Sequence, residues 1–193
     1  MLQNTYNLDY QDIIFKAIQK ALENHPRVIA VRIDLRFPMI ETQAEIESRV
    51  ITRFFASLKS KIKADLKRKE KAWRRKVSCD VRYVWVREYG NINERKHYHI
   101  LLLLNKDAYH SLGAYGSTKG TLGAMLKQAW CSATHLTHPD FLSLVNFGRV
   151  FYLDKNNANI ARKKKEVMIH ASYLAKKITK RYGDGERSIG SSF

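Results

Sequence analysis

Two apolar segments constrain this chain most: residues 79–88 (CDVRYVWVRE) and 96–104 (KHYHILLLL), separated by a polar stretch holding Gly90 and two asparagines. Glycine and asparagine supply the backbone conformations that a tight reversal needs. The pattern therefore predicts two paired antiparallel strands. Residues 27–37 (RVIAVRIDLRF) alternate with the period of a strand and stop at Pro38. Ile29, Val31, Ile33 and Leu35 share one face of it; Arg32, Asp34 and Arg36 share the other. A further strand is predicted at 144–153 (LVNFGRVFYL).

Helical periodicity fills the intervals. Over 8–24, Ile14, Ile18, Ala21 and Leu22 fall on one face, and Pro26 follows the end. Thr42 and Glu45 form a T-x-x-E capping box ahead of a long helix that runs to about residue 73. Its apolar stripe is Ile46, Val50, Phe54, Leu58, Ile62 and Leu66. A Gly-rich loop over 105–120 precedes a helix at 121–133 through Leu122, Met125, Ala129 and Trp130. A basic helix is predicted from about 162 to 180, and the tail GDGERSIGSSF reads as irregular. This order of elements predicts an α+β domain: a central antiparallel sheet with helices on one side.

The longest apolar run, Ile100 to Leu104, is far too short for a membrane span. The N-terminus has no basic start followed by an apolar stretch, so secretion is not expected. Cys79 and Cys131 form neither a C-x-x-C pair nor a disulfide framework, which fits a reducing, cytoplasmic setting. No G-x-x-x-x-G-K-[ST] occurs, so a P-loop motor is excluded.

The net charge is +17, and it is concentrated. Residues 59–76 hold 10 basic and 2 acidic side chains, and residues 155–181 hold 9 basic and 1 acidic, which is nearly the whole excess. Two dense cationic blocks are the footprint expected of a nucleic-acid partner, with a solvated helix face or an anionic membrane surface as the competing readings. Within them Lys67, Arg68, Arg74, Arg75, Lys163, Lys164, Lys176 and Lys180, joined by Arg32 and Arg36 of the first strand, are the candidate DNA contacts.

Two constellations carry chemistry. In His97-Tyr98-His99 the two imidazoles sit at i and i+2 of a strand and point to one face. If residues 89–96 connect the strands, Glu88 lies across from His97, position 86 opposes 99 and 84 opposes 101, so the carboxylate shares the histidine face. Two imidazoles and one carboxylate can hold Mg²⁺ or Mn²⁺ and leave positions open for phosphate oxygens and water. Ordinary strand histidines are the competing reading. The second constellation is Tyr173-Leu174-Ala175-Lys176-Lys177. On a helix, Lys177 neighbours Tyr173 at i+4, with Val167, Ala171, Leu174 and Ile178 forming the opposite apolar stripe. A phenol beside ammonium groups and a metal can act as a nucleophile toward phosphorus. The alternative is a core-edge aromatic among phosphate-binding lysines.

A histidine-tyrosine-histidine strand followed by Y-x-x-x-K resembles the HUH endonucleases, the superfamily of rolling-circle replication initiators and plasmid relaxases. The segments VRIDLRFP, VWVREYG, KHYHILLLLN and SYLAKKITKRYGDGERSIGSS resemble, more closely, the YagK/YfjJ family, related to the inovirus gene II replication proteins of filamentous phages and prophages. The resemblance runs from about residue 27 to the C-terminus. It implies a central antiparallel sheet of RRM-like topology, with a nuclease domain over 27–182, an N-terminal helical segment over 1–26 and a tail over 183–193. It also implies site-specific nicking and rejoining of one DNA strand through a 5′-phosphotyrosine link. Carried over by position, His97, His99 and Glu88 would ligate the metal, Tyr173 would be the nucleophile and Lys177 the motif lysine. The implied partners are single-stranded DNA or an origin hairpin, with host replication proteins as further candidates. With one motif tyrosine, a second cleavage needs water or a second protomer, which makes a homodimer one route. A non-catalytic nucleic-acid-binding module and a primase-polymerase relative are the alternatives; the strands lack the D-x-D carboxylates the latter needs.

Overall fold

The computed structural model describes residues 6–39, 47–90, 94–137, 139–178 and 180–193. Helix α1 (Leu8–Asn24) leads into strand β1 (Arg27–Arg36). Helix α2 (Val50–Trp73) follows, then the hairpin β2 (Arg82–Tyr89) and β3 (Lys96–Asn105). Helix α3 (Leu122–Thr134), strand β4 (Val145–Asp154), helix α4 (Ile160–Ala171) and a short edge strand β5 (Ile189–Ser191) complete the chain. The sheet is antiparallel with order β4-β1-β3-β2-β5. The core unit β1-α2-β2-β3-α3-β4 is the β-α-β-β-α-β motif of ferredoxin-like and RRM-like sheets.

Helices cover both faces of the sheet, not one as expected. The unbroken run Ile100–Leu104 explains why. Alternate residues of a strand point to opposite faces, so a strand apolar at every position must be covered twice. Ile100, Leu102 and Leu104 join Ile29, Ile33, Phe54, Leu58 and Trp130 in one core, beneath α2 and α3. Leu101 and Leu103 join Val84, Val86, Ile14, Ile18 and Val167 in a second core, beneath α1 and α4. Residues on either side of the expected boundaries at 26 and 183 thus pack on the same sheet.

Other boundaries also differ from the expected ones. Residues 48–49 form a turn and α2 begins at Val50; Thr42, Glu45 and Ile46 lie outside the described residues. The tail is not irregular throughout. Ile189–Ser191 pairs with β2, placing Gly190 opposite Trp85. A β-carbon at Gly190 would come within 2.6 Å of the indole, so glycine is what lets the edge strand lie flat on the ring.

The basic helix also ends early. Regular α4 stops at Ala171, a 3-10 turn covers Ser172–Ala175, and Lys176 is extended. The cause is a competing strand-like contact. The N–H of Asn7 donates to the carbonyl of Ala175 (2.7 Å), and Tyr6 forms a β-bridge with Lys176. Val167, Ala171 and Leu174 are buried as the stripe predicts, whereas Ile178, beyond the break, is 84% exposed.

Candidate metal centre and its tyrosine

The hairpin register is the expected one: Glu88 pairs with His97, Val86 with His99 and Val84 with Leu101. Glu88, His97 and His99 therefore emerge together where the second core ends, and one ligand atom from each lies within 4.8 Å of the others. The Nε2 atom of His99 is 3.4 Å and that of His97 is 3.9 Å from Glu88 Oε2. The two rings stand nearly perpendicular with centres 4.9 Å apart.

What the other ring nitrogens do is informative. His97 Nδ1 faces the carbonyl of Arg95 at 3.2 Å, and His99 Nδ1 faces Asp34 Oδ1 at 2.5 Å. Each acceptor places a proton on Nδ1, which leaves the Nε2 lone pair of the neutral ring aimed at Glu88. Such an arrangement is how proteins fix the tautomer and orientation of metal-binding histidines. A divalent ion with bonds of about 2.1 Å sets neighbouring donors about 3 Å apart, so these atoms, 3.4 and 3.9 Å apart across Glu88 and all within 4.8 Å, would have to draw together around one. Two imidazole nitrogens and a carboxylate oxygen are a donor set that could hold a divalent cation.

Asp34 is the residue of this cluster that sequence reasoning missed. Its signal lay in the alternation of β1, which puts Asp34 on the charged face, and β1–β3 pairing sets it opposite His99. Arg32, two residues away on the same face, grips the Asp34 carboxylate with Nε and Nη2 at 3.1 and 3.0 Å. Burial alone raises the pKa of Asp34, but the hydrogen bonds and charges of His99 and Arg32 outweigh it and hold the group ionised far below the usual carboxylate range. In Glu88 burial is likewise outweighed, first by His99 and then by Lys180, bringing its carboxyl down to about 2. Burial lowers His99 too, yet its bonds to Asp34 and Glu88 raise it overall. His97 is lowered, by burial and then by the charge of His99. Two ionised carboxylates therefore flank the imidazoles, and they favour positive charge between them.

Tyr173 lies on the same face of the sheet. Its ring is half-exposed, with Lys176 Nζ 3.9 Å and the Arg32 guanidinium carbon 5.9 Å from its centre. Arg32 thus links the phenol to Asp34 and so to His99. Space for Arg32 comes from β4. The β1–β4 register shifts between Val31 and Ile33, and Gly148 sits over Arg32 with a would-be β-carbon 3.3 Å from the arginine Cβ.

Other expected site residues are placed differently. Lys177 does not stand one turn above Tyr173, because the chain has left the helix; it is exposed just past the 3-10 turn. Lys180 is not a surface DNA contact. Its ammonium is wholly buried, 2.9 Å from Glu88 Oε1 and bonded to the Lys176 carbonyl. Lys164 bonds Gln19 on α1, Lys163 is partly buried on α4, and Arg36 is exposed at the end of β1. Lys67, Arg68, Arg74 and Arg75 are exposed on and after α2, across the sheet from the metal centre, with Arg68 paired to Asp65. Tyr83 and Trp85 pack against the first core. Tyr83 stacks on Phe55 at 3.5 Å, and Trp85 lies under Gly190.

The family model of the YagK/YfjJ C-terminal domain matches residues 2–192. The chain belongs to this family. It is 35% identical over 194 residues to the uncharacterized protein YagK of Escherichia coli K12, covering 96% of this chain and 92% of that one. It is 34% identical over 195 residues to the uncharacterized protein YfjJ of the same organism, covering 95% and 93%. No solved structure matches. The YagK/YfjJ match spans every element that builds the centre, from β1 with Asp34 to the segment carrying Tyr173 and Lys180. Among the described residues, no helix is long and apolar enough to cross a membrane.

Proposed function

We propose that this protein is a metal-dependent DNA strand nickase and ligase of the HUH endonuclease kind, acting as a phage or prophage rolling-circle replication initiator. The observation that carries the reading is the pair of histidines whose Nδ1 atoms are engaged by Arg95 and Asp34 while both Nε2 atoms converge on Glu88. Bound there, Mg²⁺ or Mn²⁺ would polarise a scissile phosphate and neutralise charge on its oxygens.

The chain's own residues supply the rest. Tyr173 offers the nucleophile: a bond forms between its phenolic oxygen and phosphorus, the bond from phosphorus to the 3′ oxygen breaks, the phenol's proton passes to solvent, and the leaving 3′ oxygen takes a proton from solvent. The products are a free 3′-hydroxyl and a 5′-phosphotyrosine, and reversal rejoins the strand without a nucleotide cofactor. Lys176 and Arg32, both against the phenol ring, place positive charge beside the incoming phosphate. Asp34 keeps Arg32 and His99 in place, and Lys180 takes the oxygen of Glu88 that faces away from the imidazoles.

One observation favours the second reading, a binder that does not cut. The helix breaks between Tyr173 and Lys177, so the pair is not held at helical spacing. Incubation with labelled single-stranded oligonucleotides and Mn²⁺ separates the two. The enzyme forms a protein–DNA adduct that survives SDS, and Tyr173→Phe abolishes it. DNA binding with no adduct on any strand or hairpin substrate would leave the binder.

A further inference from the structure

We propose that the groove between α2 and residues 76–82 is a second nucleic-acid site, holding the backbone of a single strand on the face of the sheet opposite the metal centre. The groove encloses about 480 Å³, and Lys59, Lys63, Lys67, Lys76 and Arg82 line it. Glu70 and Asp80 are its two acidic residues. The Asp80 carboxylate is already engaged by Asn24 at 2.8 Å and lies 3.7 Å from His25. An excess of cations therefore faces the cavity.

Its shape suits a backbone. Lys59, Lys63 and Lys67 recur every fourth residue on α2, about 6 Å apart along the axis, a spacing comparable to that of successive phosphates on one strand. All three are exposed. The apolar stripe of α2 faces the first core, so this row lies across the sheet from Glu88 and the histidines. A phosphate bound at the metal centre cannot be reached by these lysines.

A second observation points to unpaired bases. Trp73, the last residue of α2, is 43% exposed, with the Arg75 guanidinium 5.7 Å from its ring; the Lys69 ammonium, 5.5 Å away, is held by Asp65 and the Ala108 carbonyl. An open indole beside an arginine is one way proteins stack bases while tracking phosphates. Duplex DNA keeps its bases stacked on one another and has none to give it, so the occupant is a single strand.

The site stands independently of the proposed nicking, and the experiment keeps the two apart. Binding of full-length protein to a fluorescein-labelled oligo(dT) is followed by anisotropy across a salt series. Wild type is compared with the groove variant K59A/K63A/K67A, with W73A, with the charge-matched control K16A/K20A/K119A and with H97A/H99A. Each phosphate contact contributes a slope of about 0.7 in log K against log salt for single strands. The groove variant is expected to bind at least tenfold more weakly with a slope lower by about 2. W73A is expected to lose about tenfold with its slope unchanged. The control should change less than twofold, and the groove substitutions should cost the same factor in the H97A/H99A background as in wild type. Equal losses in the groove variant and the control would overturn the proposal in favour of diffuse charge. Displacement of oligo(dT) by duplex as readily as by single strand, with W73A unaffected, would overturn it in favour of a duplex contact.

Discussion

Asp34→Asn removes one charge and no volume from the centre. In the native site the Asp34 carboxylate accepts from His99 Nδ1 at 2.5 Å and from two nitrogens of Arg32. It thereby holds the His99 proton on Nδ1 and its lone pair on Nε2. An asparagine oxygen in the Oδ1 position still faces His99 Nδ1 and Arg32 Nε, but its amide nitrogen then meets Arg32 Nη2 donor to donor. If its amide instead donates to Nδ1, the proton moves to Nε2 and the ring loses its ligand atom. Loss of an outer-shell partner of a metal-bound histidine typically weakens binding by roughly 10- to 100-fold, which is about 1.4–2.7 kcal/mol. Calorimetric titration of Mn²⁺ into wild type, Asp34→Asn and His99→Ala at neutral pH measures it. The expected order is wild type tightest, Asp34→Asn weaker within that range, and His99→Ala weakest. Wild-type affinity in Asp34→Asn, beside a lost site in His99→Ala, would refute the orienting role.

Three further outcomes follow from other parts of the molecule. Lys180→Met strips Glu88 of its buried partner; thermal melts should show a less stable metal-free protein and a larger Mn²⁺-induced rise in Tm than in wild type, because the ion then supplies the missing charge. Trp130→Ala empties a fully buried site among Phe37, Phe54 and Tyr98 and frees the Arg36 carbonyl that the indole N–H holds at 2.7 Å; chemical denaturation should show a loss of about 3–5 kcal/mol, and a loss under about 1 kcal/mol would contradict this packing. His25 is buried, which lowers its pKa, and its Nε2 accepts from the Asp80 N–H at 3.0 Å. The unfolded chain therefore binds the proton more readily, so this stability is complete above the ordinary histidine range, near about 6.5, and is lost as pH falls through the lowered value. His25→Gln should flatten that acid-side decline in Tm.

How much of this was legible depended on which interactions were local. The Glu88–His97 register followed from strand alternation and a short connection, and the structure has it residue for residue. The stripes of α1 and α3 were readable because burial at helical spacing needs only a nearby apolar surface. The early end of α4 was not, because it is set by Asn7 and Tyr6, nearly the whole chain away. Lys180 looked like one more surface cation until that break folded it back onto Glu88. The β5 strand was hidden in a glycine- and serine-rich tail whose pairing depends on Gly190 meeting the Trp85 ring. Asp34 was visible on the charged face of β1, but its partner became identifiable only once β1 and β3 were known to be neighbours.

The account rests on a cation seated between Glu88, His97 and His99, with Tyr173 linked to them through Arg32 and Asp34. Anomalous diffraction from crystals grown with Mn²⁺ tests this directly. The account predicts one strong peak about 2.1 Å from Nε2 of both histidines and from a Glu88 oxygen, lost in His97→Ala/His99→Ala. A peak elsewhere, or none at saturating Mn²⁺, would contradict it.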